Sequence, residues 1–370
     1  MKLNSHNEWD TLKEIIVGSP DVRGTLKFDY NKSETDIQKA EELVDKAFPE
    51  WLKDGIKIDL DGLCDIFKEH GVKVYRPNTS KIHNTFKTPH FGGSTEGAYN
   101  ARDLCMIVGD KIIGSASQEK QRYFEDQAYY DIFYQYFKEG CQWICPPKPR
   151  LDKEYMLPFY EDDGEKQYFS LSEDEIMFES ANTVRMGKDL LYLVSRSGND
   201  LGAKWLQSIL GTDYKVHTTE KIYHSSHIDS TVMCLNKGLV LLNAYRVNEQ
   251  NCPEIFNKWK KIYFSDIIPY PQDILNFHRE TRVKIHNELK SLGFESSLNN
   301  VASPWIGMNF LSIDPKTVIV DKIQTKLIDT LEKNGINCIP ISFRYSYYVG
   351  GIHCSTLDTV RESQLESYFD

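Results

Sequence analysis

The chain has 370 residues, of which 40% are hydrophobic and 26% charged, with a formal net charge of -10 at pH 7. That composition supports a large core in one broad α/β domain and gives no basic clusters for nucleic-acid phosphates. No stretch approaches the ~18 uncharged apolar residues that a membrane-crossing helix needs.

In chain order, TLKEIIV (11–17) reads as a strand. Residues 34–70 read as mostly helical, with Ile37, Ala40, Leu43 and Val44 on one face and Leu60, Leu63, Ile66 and Phe67 on another. Gly71 supplies a C-cap, and VKVYRP follows as a strand ended by proline. Residues 117–138 are expected to form one long, aromatic-rich helix closed by Gly140. Residues 147–172 are charged and broken by prolines, and are expected to form a surface excursion. DLLYLV (189–194) is a strand, and SGNDLGAKWLQSIL gives a turn and an amphipathic helix. TVIV, a helix carrying Leu327, Ile328 and Leu331, Gly335 and INCIPIS repeat the same strand–helix–strand unit. No Gly/Ser linker divides the chain, so residues 1–370 are read as a single catalytic domain.

The eight cysteines are Cys64, Cys105, Cys141, Cys145, Cys234, Cys252, Cys338 and Cys354. Most stand in apolar surroundings and read as reduced, buried thiols. Cys141 and Cys145 have no second pair at zinc-like spacing, so no metal site is expected. The N-terminus MKLNSHNEWD has no apolar signal core, which points to the cytoplasm.

Four segments could carry chemistry. In VGGIHCSTLD, two glycines allow a close backbone approach before His353 and Cys354. The plainer reading is a buried cysteine in a turn. In HSSHIDSTV, His227 and Asp229 stand two apart on an expected strand, so both project to one side. A satisfied polar pair is the plainer reading there. MFESANTVRMG carries Glu179 after an apolar pair, with Gly187 closing the turn. NARDLCMIVGDKII opens an apolar strand with Asp103, beside which Arg102 offers a local ion pair. Together, a thiol, a histidine and three carboxylates at strand edges suit guanidine chemistry. Carboxylates match the guanidinium fork, a thiolate can attack its carbon, and a histidine can serve the leaving amine. No P-loop, GxSxG or GxGxxG is present.

The chain resembles the amidinotransferases of the guanidino-group-modifying superfamily. The resemblance runs through NEWDTLKEIIVGSP (7–20), ARDLCMIVGDKIIGS (101–115), RYFE (122–125), WICPPKP (143–149), FESANTVRMGKDLLY (178–192), SGNDLGAKWLQ (197–207), HIDSTV (227–232), ASPWIGMN (302–309) and GGIHCSTLD (350–358). FESAN and SGNDLG stand closer to inosamine-phosphate than to glycine amidinotransferases. The resemblance implies a five-bladed α/β-propeller of ββαβ units with pseudo-fivefold symmetry and no cofactor; relatives are commonly homodimers, but the oligomeric state is not readable from this sequence. It implies Cys354 as the nucleophile that carries the amidino group of L-arginine. His227 would act as acid and base, and Glu179 would orient it. Asp103 and Asp229 would grip the guanidinium, and Arg246 would hold the arginine carboxylate. Ser303 would line the pocket, and His224 and Ser226 would face the acceptor amine. This sequence departs from the family in having Glu179 where aspartate is usual, Asn182 for a second acid and Ala302 for a serine. An arginine deiminase-type hydrolase could use the same residues with water as acceptor, and a non-catalytic arginine-binding protein could share the scaffold. RYFE, WICPPKP and SGNDLG match transferases rather than deiminases.

Overall fold

A computed structural model describes residues 2–29, 31–160, 167–269, 271–298 and 302–369. The chain is α/β. Among the described residues, five three-stranded sheets repeat one order: two antiparallel strands, then a third parallel to the second. None of these sheets closes on itself.

In the first unit, Thr356–Arg361 from the end of the chain pairs with Leu12–Val17, which pairs with Lys73–Tyr75. The second joins Cys105–Val108, Lys111–Gly114 and Gln142–Ile144. The third joins Thr183–Met186, Asp189–Leu193 and Lys215–Thr219. The fourth joins Val232–Asn236, Leu239–Asn243 and Lys260–Phe264. The fifth joins Leu311–Asp314, Thr317–Asp321 and Asn337–Ile341. The middle strands are apolar runs such as IIV, LVLL and VIV, buried on both faces as a central strand requires.

The crossover to the third strand contains an α-helix in four units and only a 3₁₀ turn, Glu254–Phe256, in the fourth. The first crossover is the longest. Glu34–Asp45 is capped by Ser33, whose side chain accepts from the Asp36 amide. Pro49 stands at the break before the second helix, Glu50–Glu69, which buries Leu52, Ile56, Leu60, Leu63 and Phe67 as one stripe. Gly71 turns the chain out with φ +71°.

The expected helix over 117–138 is corrected. Only Tyr130–Lys138 is α-helical, and short 3₁₀ turns at Lys120–Arg122 and Glu125–Tyr129 precede it. Arg122 and Glu125 are buried there, and the long-range contacts of Arg122 with Asp103 and of Glu125 with the Ala98 amide override local helix preference. The expected excursion at 147–172 contains a hairpin, Met156–Tyr160 with Gln167–Leu171, while 161–166 lie outside the described residues. Leu151, Tyr155 and Leu171 anchor it by packing with Phe91 and Met177.

A buried ionic cluster ties the first three units together. Arg185 donates to both carboxylate oxygens of Glu8 at 2.8 and 2.9 Å, to Asp358 at 2.8 Å, and to Ser5 and the Ile107 carbonyl. Asp358 also receives Arg102 at 2.9 Å and Arg361 at 2.6 Å. Arg102 therefore pairs across the fold and not with its neighbour Asp103, contrary to the local ion pair expected for it. No helix among the described residues is long and apolar enough to cross a membrane.

Candidate active site

Each of the five units delivers a polar side chain from the segment just before its first strand. Cys354 precedes Thr356–Arg361, and Asp103 precedes Cys105–Val108. Glu179 precedes Thr183–Met186, His227 and Asp229 precede Val232–Asn236, and Asn309 precedes Leu311–Asp314. Cys354, Asp103, Glu179, His227 and Asp229 line one cavity of about 530 Å³.

The cysteine loop is held by close backbone approach. A Cβ on Gly350 would come 2.4 Å from Asn100 Oδ1, and one on Gly351 would come 2.3 Å from Asn309 Oδ1. Asn309 Oδ1 accepts from the Cys354 amide at 2.9 Å, and its Nδ2 donates to the Asp229 carbonyl at 3.0 Å. One asparagine thus fixes the thiol segment against the acid segment. The Cys354 thiol donates to Asp229 Oδ2 at 3.3 Å. Burial pushes this thiol well above its ordinary pKa, and Asp229 and Asp103 push it further.

His227 and Asp229 do not lie on a strand. They sit in an irregular segment that turns just before Val232–Asn236, with Ile228 between them fully buried. The alternation survives because Ile228 enters the core while its neighbours face the cavity. His227 Nε2 donates to Glu179 Oε2 at 2.5 Å, and Nδ1 lies 3.6 Å from Asp103 Oδ1. Burial alone would lower the imidazole pKa. Asp103 and the bond to Glu179 outweigh it and raise His227 to about 9. Burial likewise opposes ionisation of Glu179, but Arg122 and His227 hold it down at about 2. Ser117 donates to Glu179 at 2.6 Å and fixes its second oxygen.

Arg122 is the functional residue that reading the sequence missed. Its Nη1 lies 2.7 Å from Asp103 and 3.6 Å from Glu179, and its Nε lies 3.1 Å from Glu96. Asp103 Oδ2 is thereby committed, while the buried Oδ1 has no hydrogen-bond partner among the described residues. Burial raises Asp103 to about 6 despite the nearby His227 and Arg122. The opposite holds for Asp229, where His353 and His227 overcome burial and hold the carboxyl well below the usual range. His353 donates to Asp229 at 3.1 Å and reaches Glu8 at 3.5 Å, linking the site to the buried ionic cluster.

Ser226 and Ser303 line the cavity; His224 and Arg246 are not among its lining residues. Arg246 stands behind the wall, donating to Thr231 at 2.7 Å, Ser230 at 3.2 Å and Ser303 at 2.6 Å. Its guanidinium carbon stacks 3.6 Å from the centroid of the Tyr223 ring. The His224 carbonyl accepts from the Arg196 amide. Asn182, in place of a second acid, donates to the Leu193 carbonyl and Ser195 and supports the turn behind Glu179.

Asp103, Glu179 and His227 offer ligand-type atoms within 4.8 Å of one another. Arg122 already bridges both carboxylates, and His227 is driven to its cationic form. Two fixed positive charges there oppose a divalent ion, so the trio is a charge-balanced cluster. Beside it, the free oxygen of Asp103, the ionised Asp229 and the Cys354 thiol face a common space. That arrangement can take a planar cation and bring sulfur to it.

No family model matches the chain. It is 36% identical to inosamine-phosphate amidinotransferase 1 of Streptomyces griseus over 98% of both chains. It is 33% identical to the L-arginine:L-lysine amidinotransferase of Pseudomonas savastanoi pv. phaseolicola, over 98% of this chain and 96% of that one. The solved structure of an inosamine-phosphate amidinotransferase from Streptomyces griseus superposes with a TM-score of 0.80 at 34% identity, covering 100% of this chain and 99% of that one.

Proposed function

Because the chain belongs to the amidinotransferase family, we propose that it moves the amidino group of L-arginine to an acceptor amine and releases L-ornithine through an intermediate on Cys354. The observation that carries this reading is the thiol of Cys354 facing the same cavity as Asp103, Asp229 and the His227–Glu179 pair.

The guanidinium of arginine enters between Asp103 and Asp229, where it supplies the hydrogen bonds that Asp103 Oδ1 lacks. Its positive charge also offsets the two carboxylates that keep the thiol protonated, so the pKa of Cys354 falls when substrate is present. The thiol proton passes to solvent. The thiolate attacks the guanidinium carbon, and protonated His227 gives its proton to the departing nitrogen. The C–N bond breaks, ornithine leaves as an amine, and a cationic amidino group remains on sulfur. Neutral His227 then takes a proton from the incoming amine, which attacks the same carbon and restores the thiolate.

Asp103 grips a cation only when ionised, and its pKa is pushed up to about 6. Arginine affinity, measured by calorimetry in Cys354→Ser, is expected to strengthen about tenfold per pH unit below about 6 and to level off above it. Affinity that stays flat from pH 5 to 7 would remove Asp103 from the guanidinium site.

Arg246, behind Ser230 and Ser303, is the proposed anchor for the arginine α-carboxylate. Arg246→Ala is expected to raise the KM for arginine about tenfold to a hundredfold. Agmatine, which has no carboxylate, should be affected far less. Equal effects on both substrates would cancel the assignment.

We read the five repeated units as the blades of a propeller about the shared cavity, supported by the common topology and by the site residues standing at the same place in each unit. The free cysteines, at eight positions, support a reducing, cytoplasmic setting. The reaction is tested by incubating the protein with labelled arginine and a panel of amines. Ornithine and a new guanidino product are expected, whereas citrulline would identify a hydrolase.

A further inference from the structure

The cavity continues past the nucleophile to side chains that the donor half-reaction does not use, among them Arg282. Arg282 ends a π-helical turn, His278–Arg282, set between the helices Gln272–Phe277 and Val283–Ser291. Turns of this kind are rare in helices and frequently mark functional positions. The side chain is only 5% exposed. Its guanidinium carbon lies 4.8 Å from the centroid of Phe48 and 4.7 Å from that of Tyr348, so two rings fix the fork. Its Nε and Nη1 are buried and have no hydrogen-bond partner among the described residues.

Of the other arginines in the same wall, Arg196 donates from Nε to the Met156 sulfur at 3.1 Å, and two are committed to carboxylates. Arg122 serves Asp103 and Glu96, and Arg23 pairs with Asp21 at 2.5 Å. Burial lowers the pKa of Arg282 to about 10, which leaves it a cation at neutral pH. A buried guanidinium with idle donors is costly unless something anionic arrives to use them. The two aromatic rings stabilise its charge and Tyr348 also hydrogen-bonds the guanidinium, but Nε and Nη1 stay unused by the described residues. Those donors match a carboxylate or a phosphate.

We propose that Arg282 is the oxyanion anchor for the acceptor, so that the second substrate is an amine bearing a phosphate or carboxylate. The inference rests on the amidinotransferase reading above. It assigns donor and acceptor anions to different cations, Arg246 and Arg282.

The test compares the wild type with Arg282→Gln and Arg282→Lys. Acceptors are offered in pairs that differ only in the anion: an aminocyclitol phosphate against the free aminocyclitol, and L-lysine against cadaverine. Formation of the amidino adduct on Cys354 is followed in the same samples, and reports both folding and the donor step. Arg282→Gln is expected to raise the KM for the anion-bearing member of the pair about tenfold to a hundredfold, with the member that lacks the anion changing less than about twofold. Arg282→Lys should recover part of the loss. Whichever pair shows the discrimination identifies the oxyanion as phosphate or carboxylate. Inorganic phosphate should compete with the acceptor in the wild type and about tenfold more weakly in Arg282→Gln. Equal changes for both members of each pair, or a shift confined to the KM for arginine, would overturn the anchor. A wild type that forms no adduct would instead defeat the covalent route through Cys354 proposed above.

Discussion

Replacing Cys354 by serine is expected to lower amidino transfer by at least about four orders of magnitude while leaving arginine binding largely intact. The two halves of this expectation have separate physical sources. On the proposed reading arginine would be held by Asp103 and Asp229, and although Asp229 accepts from the Cys354 thiol, other groups fix both carboxylates. Asn309 and His353 fix the Asp229 segment, and Arg122 fixes Asp103. Bond formation depends on a thiolate. A hydroxyl in the same place has a far higher pKa and meets the same burial and the same two acids, so guanidinium binding cannot ionise it. Calorimetry should give a dissociation constant close to that of the wild type, and a single-turnover assay should give no ornithine. Substantial turnover in Cys354→Ser would mean that the amidino group travels directly from donor to acceptor.

The second large effect concerns stability. Arg185→Met is expected to destabilise the fold by ~3–5 kcal/mol, the range for removing one partner from a buried ionic group. Arg185 is 2% exposed and Asp358 is fully buried, and all the guanidinium nitrogens are engaged. Removing them leaves Glu8 with Arg102 at 3.4 Å and His353 at 3.5 Å, too distant to replace the fork. Because His353 also contacts Asp229, the loss should reach the active site as a reduced affinity for arginine. Chemical denaturation followed by fluorescence and circular dichroism checks the first part. A midpoint within experimental error of the wild type would show that the cluster contributes specificity rather than stability.

The regular elements were legible because their signals are local. Apolar runs marked the middle strands, and the stripe from Leu52 to Phe67 marked the long helix. The candidate site was legible in part for a different reason: four segments carry polar residues at the edges of apolar strands, where a purely structural chain could be apolar. What stayed hidden depends on long-range pairing. Arg122 meets Asp103 19 residues away and Glu179 beyond that, so no local pattern distinguishes it from any other arginine in an aromatic segment. Arg102 looked like the partner of Asp103, yet it pairs with Glu8 and Asp358, 94 and 256 residues distant. Contacts of the same kind explain the misread helix over 117–138, where Ser117, Arg122 and Glu125 turn inward to separate distant partners, Glu179, Asp103 and the Ala98 amide. Asn309 gave a weaker signal, a polar residue at the end of ASPWIGMN just before an apolar strand. The alternation in HSSHIDSTV correctly put His227 and Asp229 on one side, although the backbone there is a turn.

The most direct measurement is an acid quench of the protein mixed with arginine labelled in its guanidino carbon, without any acceptor, followed by peptide mass spectrometry. The account predicts one labelled amidino group on the peptide containing Cys354, formed together with an equivalent of ornithine and discharged when an acceptor amine is added. Ornithine released with no label on that peptide, or label that an acceptor cannot remove, would contradict it.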